Sequence, residues 1–396
     1  MRTMKQLRTP VSQPRHVRGF SLVEILVGVA IGVVGMLVIF KTIAMWDTHT
    51  RSTTAGGDAQ SAGSLAMFNM ERGIKQAGQG FMGIGFVVGT PPSALGCAVS
   101  GVDTQLGNAL AFNMVPVQIT LNPGQPDTLT VLYGNSPFFV SEERYTASTG
   151  VTKTLDRRNG FRQGDVAIAG TGATCNLLQV TDDTNADGKT IGHGVTANYL
   201  NSYAVPPAPQ VARYNSAALP AIGAAGTIYS LGPNPRLDTW AIDTVNGSLT
   251  NTERFSGAPA FVVGEGVVNM KALYGRDLLG NRTVNNWTNV TPTTAAEWAQ
   301  VLSVRVGLLV RSRQFERTND QSASGVPLGV TQAPPTWSGA AILPLIPNSD
   351  FVMTNTNGTP DSFGPNDPDP LNWRYYRYRV YEKEIPLRNV IWGMTP

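Results

Sequence analysis

The feature that most constrains this 396-residue chain is the run Phe20 to Phe40, FSLVEILVGVAIGVVGMLVIF, in which Glu24 is the one charged residue. As a helix this run spans about 31 Å, the thickness of a bilayer's hydrocarbon core. The leader ahead of it, residues 1–19, holds five bases (Arg2, Lys5, Arg8, Arg15 and Arg18) and no acid. Bases before the span and mixed charge after it put the N-terminus in the cytoplasm. The chain's net charge of +3 belongs to that leader, and so small a balance makes no case for a nucleic-acid partner.

A secretory signal is ordinarily cut after its apolar region, at a small-residue site. No such site follows Phe40, where the sequence runs on as KTIAMWDTHT. The other boundary is Gly19-Phe20, where a glycine leaves the backbone extended and open to a protease. Cleavage there keeps the apolar run on the mature chain. Arg18-Gly19-Phe20-Ser21-Leu22-Val23-Glu24 resembles the leader junction of type IV pilins and pseudopilins. The resemblance implies that a prepilin peptidase cuts after Gly19 and methylates the new amino terminus on Phe20.

Glu24 has a physical rationale in that setting. A carboxylate within a bilayer costs about 2.5–3.5 kcal/mol at mid-membrane. It stands one helical turn after the amine that cleavage creates on Phe20, and it neutralises that amine in its own chain or in a neighbouring subunit. The resemblance implies the second use, which sets axial register in a filament. The plain alternative is an acid tolerated near the membrane interface. Gly28-x-x-x-Gly32 adds a small-residue face suited to close helix packing, with incidental glycines of a signal anchor as its alternative.

The helical pattern continues to Gln79. There is no proline from Thr42 to Gln79, and Ala55, Ala59, Ala62, Leu65, Phe68 and Ile74 fall roughly along one face. Gly78 and Gly80 end it. Beyond lie short alternating stretches between Gly, Pro, Asn and Asp clusters, with 128–133, 165–168, 177–180, 261–274, 301–312 and 375–385 as the better strands. Segments 181–194, 203–226 and 322–370 read as loops. The expected organisation is α+β and pilin-like. It comprises a leader 1–19 that is removed, a membrane-spanning half-helix 20–41, an amphipathic half-helix 42–79 and a large β-rich head, 80–396. The 42 glycines, 27 prolines and 42% apolar residues fit such a head and exclude wholesale disorder.

A second resemblance lies near the C-terminus. VVNMKALYGRD (267–277), Trp298 through Ser312, and Tyr376-Arg377-Tyr378-Arg379-Val380 followed by Ile385-Pro386-Leu387-Arg388-Asn389 look like PilW-type minor pilins. This implies a subunit that joins other minor pilins and the major pilin at an inner-membrane assembly platform, priming type IV pilus assembly near the fibre tip. Its head would lie in the periplasm until incorporated. A J-type minor pseudopilin of a type II secretion system shares the leader and helix. A ligand-binding tip module, whose middle region contacts a surface, DNA or calcium, is the reading from a different class.

Cys97 and Cys175 lie beyond the span and would meet an oxidising periplasm, so one disulfide is expected, with two unpaired thiols as the alternative. Asp183-x-Asn185-x-Asp187-Gly188 opens like a calcium loop, but Gly194 stands where the closing acid belongs, and a polar hairpin turn explains the same residues. The Arg/Tyr interleaving of Trp373 to Arg379 suits single-stranded DNA, yet it also suits an amphipathic strand whose Arg stems cover aromatics. No nucleic acid is expected by default, and no cofactor apart from that candidate calcium. There is no G-x-S-x-G, H-E-x-x-H, P-loop or Rossmann fingerprint, and of three histidines only His193 falls in the head. The chain is expected to be a substrate of a peptidase and methylase, not an enzyme.

Overall fold

The computed structural model describes residues 19–82, 86–87, 92–138, 142–158, 160–195, 197–342 and 345–395. Leader residues 1–18 lie outside them. The chain divides into two units, 1–54 and 55–396.

One helix, Leu22–Gln76, runs through the boundary. In the first unit it is apolar and long enough over Leu22–Trp46 to cross a membrane, and none of that stretch is buried within the chain. Its large apolar side chains, from Leu22 to Trp46, are all more than half exposed. So large an apolar surface needs lipid or other helices to cover it.

In the second unit the helix lies against the head, and the buried stripe is Gly63, Ala66, Met67, Met70, Ile74 and Ala77. That stripe is rotated from the expected one. Ile74 is buried, whereas Leu65 and Phe68 are 55% and 60% exposed. The reason is the closeness of the contact. A Cβ on Gly264, in strand Phe261–Glu265, would come within 3.0 Å of the Ala66 Cβ, and only small residues fit there. The helix ends at Gln76, three residues before the expected point, and Gly78 and Gly80 follow with positive φ.

Among the described residues the head holds three main sheets. A four-stranded antiparallel sheet has the order Asn286–Thr288, Val267–Arg276, Val301–Arg311, Tyr378–Pro386. A five-stranded sheet runs Phe261–Glu265, Ser248–Glu253, Arg236–Asp243, Thr128–Tyr133, Val117–Thr120. The eight strands of the third sheet all lie within residues 98–232, and they pair antiparallel except where Ala98–Asp103 pairs in parallel with Thr174–Gln179. Side chains from the helix (Ala66, Met70, Ile74) share one core cluster with Val304, Val306 and Leu308 of the four-stranded sheet and with Leu129, Leu237 and Leu249 of the five-stranded one.

Two expected strands are broken. The stretch 261–274 is two strands in two sheets, split at Gly266, whose φ of 80° only glycine adopts without strain. A Cβ there would also meet the Arg311 carbonyl oxygen at 2.9 Å. The stretch 375–385 becomes a strand only at Tyr378, because Trp373–Tyr375 is a 3-10 turn capped by the Asn372 side chain. Conversely, short strands Thr190–Gly192, Ala208–Val211 and Pro327–Gly329 occur within segments expected to be loops.

Candidate functional site

Gly19 and Phe20 precede the helix in open surroundings. Nothing lies within 4 Å of a Cβ built on Gly19, and Phe20 is 79% exposed. The Ile25 amide donates to the Ser21 carbonyl, closing the first turn, in which Glu24 is the acid. An acid at this end also favours the helix macrodipole. Gly28, Gly32 and Gly35 likewise have nothing within 4 Å, so their small-residue face is free of contacts from this chain.

The other end of the helix is tied to the C-terminal strand by polar contacts from alternate residues. Arg379 Nη1 donates to Gln60 Oε1 at 2.7 Å, and the Tyr381 hydroxyl donates to the Gln60 carbonyl at 3.1 Å. Lys383 Nζ donates to Glu71 Oε2 at 2.7 Å, and Lys75 Nζ donates to Glu71 Oε1 at 2.5 Å. Hydrogen bonds from these two lysines hold the Glu71 carboxyl below the usual glutamate range. Farther along, Asn389 Nδ2 donates to the Gln76 and Ala77 carbonyls at 3.0 Å, satisfying two of the acceptors a helix C-terminus leaves open.

The period of two that puts Arg379, Tyr381 and Lys383 on the helix side turns Tyr378 and Val380 the other way, onto the cluster of Leu273, Trp337 and Trp373. The neighbouring arginines are engaged as well. Arg377 Nε pairs with Glu316, Arg374 with Asp361, and Arg311 lies over the Tyr376 ring. From the sequence no role attaches to Gln60, Gly63, Glu71 or Lys383, and Asn389 figures only as the end of a family-like stretch. They are ordinary surface residue types there, and only the docked strand gives them a role.

Cys97 and Cys175 form a disulfide, with Cα atoms 5.9 Å apart. Both half-cystines are buried in the main core, where Val99, two residues after Cys97, pairs with Cys175 across the parallel strands. Asp183, Asn185 and Asp187 fall in one turn without converging. Asp183 Oδ1 accepts from Gln163 Nε2. Asn185 Nδ2 donates to Asp182 and to the Thr190 carbonyl, and Asp187 accepts from the Lys189 and Thr190 amides and the Thr190 hydroxyl. Those hydrogen bonds hold the Asp187 carboxyl down at about 2. Among the described residues no group of three or more His, Cys, Asp or Glu is placed to hold a metal ion.

An apolar N-terminal helix bare of contacts, with an acid in its first turn and its last turns built into the core of a β-rich head, defines a membrane-anchored, pilin-like subunit. Residues 14–40 match the prokaryotic N-terminal methylation motif, and residues 246–389 match the family model of type IV pilus-assembly protein W. The two matches together are those of a PilW-type pilin with a prepilin leader, and they support a minor-pilin role in the type IV pilus among other pilus components. Both describe a structural subunit. No curated protein and no solved structure matches the chain.

Proposed function

We propose that the chain is a minor pilin that joins other minor pilins in a complex priming type IV pilus assembly, near the fibre tip. It enters the inner membrane as a precursor with its head in the periplasm. A prepilin peptidase cuts it after Gly19 and methylates Phe20. Glu24 then pairs with the amino terminus of a neighbouring subunit as the helix docks, and the head supplies lateral contacts specific to this subunit. Adhesion, motility and DNA uptake depend on it through the fibre.

The observation that carries this reading is the location of the C-terminal match. Residues 246–389 contain Val267–Arg276, Val301–Arg311 and Tyr378–Pro386, and the last of these is the strand whose side chains grip the helix. The family signature thus falls on the part of the head that carries the assembly helix.

The test is the amount of major pilin sheared from cells lacking this protein, compared with a complemented strain. Loss of surface pili while major pilin remains in the membrane is the expected result. Normal piliation would overturn the priming role. Secreted enzymes stranded in the periplasm of the same cells would then mark a minor pseudopilin.

A further inference from the structure

The described part of the head buries two lysines, Lys153 and Lys271, and only one of them meets a carboxylate. Lys271 Nζ donates to Asp127 Oδ1 at 2.9 Å, to the Gln125 carbonyl at 2.8 Å and to the Asn122 carbonyl at 3.4 Å. Its charge is neutralised and its three donors are used. Lys153, 3% exposed on strand Thr152–Leu155, differs in both respects. Its Nζ donates to Ser148 Oγ at 2.6 Å and lies 3.4 Å from His193 Nε2. Both are neutral partners, because burial and the neighbouring lysine push the His193 imidazole down to about 4. The Tyr145 ring, 5.4 Å away, adds only a weak attraction. An ammonium has three donors, and among the described residues the third has no acceptor. Burial without a counter-charge pushes this amine down to about 8.

The same lysine lines a cavity of about 580 Å³, whose walls include Asn176, Leu178, His193, Leu219 and Ile222. That is the size of a small-molecule site. A second polar group on its wall is incomplete. Asn176 Nδ2 donates to the Pro220 carbonyl at 2.7 Å, while its buried Oδ1 has no partner. The lining therefore carries one cation without a carboxylate partner, the unsatisfied acceptor of Asn176, the hydroxyls of Ser148, Thr149 and Ser216, and an apolar patch, without any arginine. A phosphate carries about −1.5 to −2 charge, which the one lysine of this lining does not balance. A single carboxylate matches the single charge.

We infer that this cavity binds a small organic monocarboxylate bearing a hydroxyl or amide donor, such as a sugar acid. The carboxylate takes the free Lys153 donor, the ligand's own donor satisfies Asn176 Oδ1, and the neutral body rests on Leu178, Leu219 and Ile222. The site lies away from the helix and its docking strand, so it stands or falls independently of the assembly role.

The experiment is calorimetric titration of the full chain, in non-ionic detergent and a carboxylate-free buffer. Glucuronate is the probe, with glucose as uncharged and inorganic phosphate as doubly charged comparator. Saturable one-site binding of glucuronate alone is expected, weakened at least about tenfold in Lys153→Met. Absence of saturable heat, equal binding by Lys153→Met, or equal binding of glucose or phosphate overturns the assignment. Ile222→Phe, which narrows the cavity and leaves the cation in place, carries the same test should Lys153→Met not fold. Loss of binding supports the site, and undiminished binding overturns it.

Discussion

Gly63 on the long helix packs directly beneath the ring of Tyr381, so closely that a Cβ added to Gly63 would overlap the ring. The Tyr381 hydroxyl is meanwhile anchored on the Gln60 carbonyl one turn earlier, at 3.1 Å. A ring fixed at its far end has little freedom to swing away. Gly63→Ala is therefore expected to lose stability, although alanine favours a helix over glycine by about 1 kcal/mol. Overpacking of this kind costs ~1–3 kcal/mol, and the net loss should show as a lower urea midpoint for the full chain in detergent. Tyr381→Ala in the Gly63→Ala background should recover the helix-propensity gain. An unchanged midpoint in the single variant would mean that the strand stands off the helix.

Glu71 gives the helix–strand contact a pH dependence. Its carboxyl is held below the ordinary glutamate value by the Lys383 and Lys75 hydrogen bonds. A folded-state value lower than the unfolded one contributes stability that is present above the unfolded value. That stability is lost as pH falls through the folded value. Stability should therefore decline on acidification below the ordinary glutamate range, and Glu71→Gln should remove this part of the decline. For partly exposed pairs the difference is about 0.2–1 kcal/mol at neutral pH, measured by denaturant unfolding at pH 7 and pH 3.

The two ends of the leader junction should separate in mutagenesis. On the proposed reading, in which a peptidase acts on the junction and docking uses the carboxylate, Glu24→Ala is expected to leave cleavage at Gly19-Phe20 largely intact but to reduce incorporation into pili. Gly19→Leu should instead block processing. Immunoblots of membrane and sheared fractions read both, and normal incorporation of Glu24→Ala would refute the amine pairing.

The Cys97–Cys175 disulfide closes a loop with a sequence separation of 78 residues. Restricting the unfolded chain over that span stabilises the head by about 2–4 kcal/mol. Cys97→Ser with Cys175→Ser should lower the thermal midpoint by several degrees, and added reductant should then have no further effect on the double variant.

Breaking the buried pair of Lys271 and Asp127, both at most 2% exposed at their side chains, should be costlier than any surface change. Lys271→Met leaves the Asp127 carboxylate without its counter-charge, a loss of about 3–5 kcal/mol. Lys271→Met with Asp127→Leu should recover much of it, as read by denaturant midpoints of the single and double variants.

Part of this head was legible in advance. Thr128–Tyr133 is a strand with the expected limits, and Val301–Arg311 ends one residue short of the expectation. Their apolar β-formers admit few alternatives. The hairpin Arg236–Asp243 to Ser248–Glu253 was not singled out, although Asn246-Gly247 at its turn is a hairpin signal that would have found it. Gly266 was equally visible inside an expected strand, yet a glycine in that position indicates a bulge or a break, not a change of sheet.

The sequence by itself determined the ends of the story: the basic leader, the Gly19-Phe20 junction, Glu24 and the apolar run. The roles proposed for these residues rest on local chemistry and on a bilayer, so composition and spacing over some forty residues suffice to suggest them. Only the tertiary structure decided which stripe of the helix meets the head, that Gly63 and Tyr381 touch, and that Lys153 was left without the carboxylate Lys271 received. Gly63 and Tyr381 are more than three hundred positions apart, and Lys271 finds Asp127 across 144. Such contacts depend on which strands pair and in what register, and the local pattern around either residue carries no record of its distant partner.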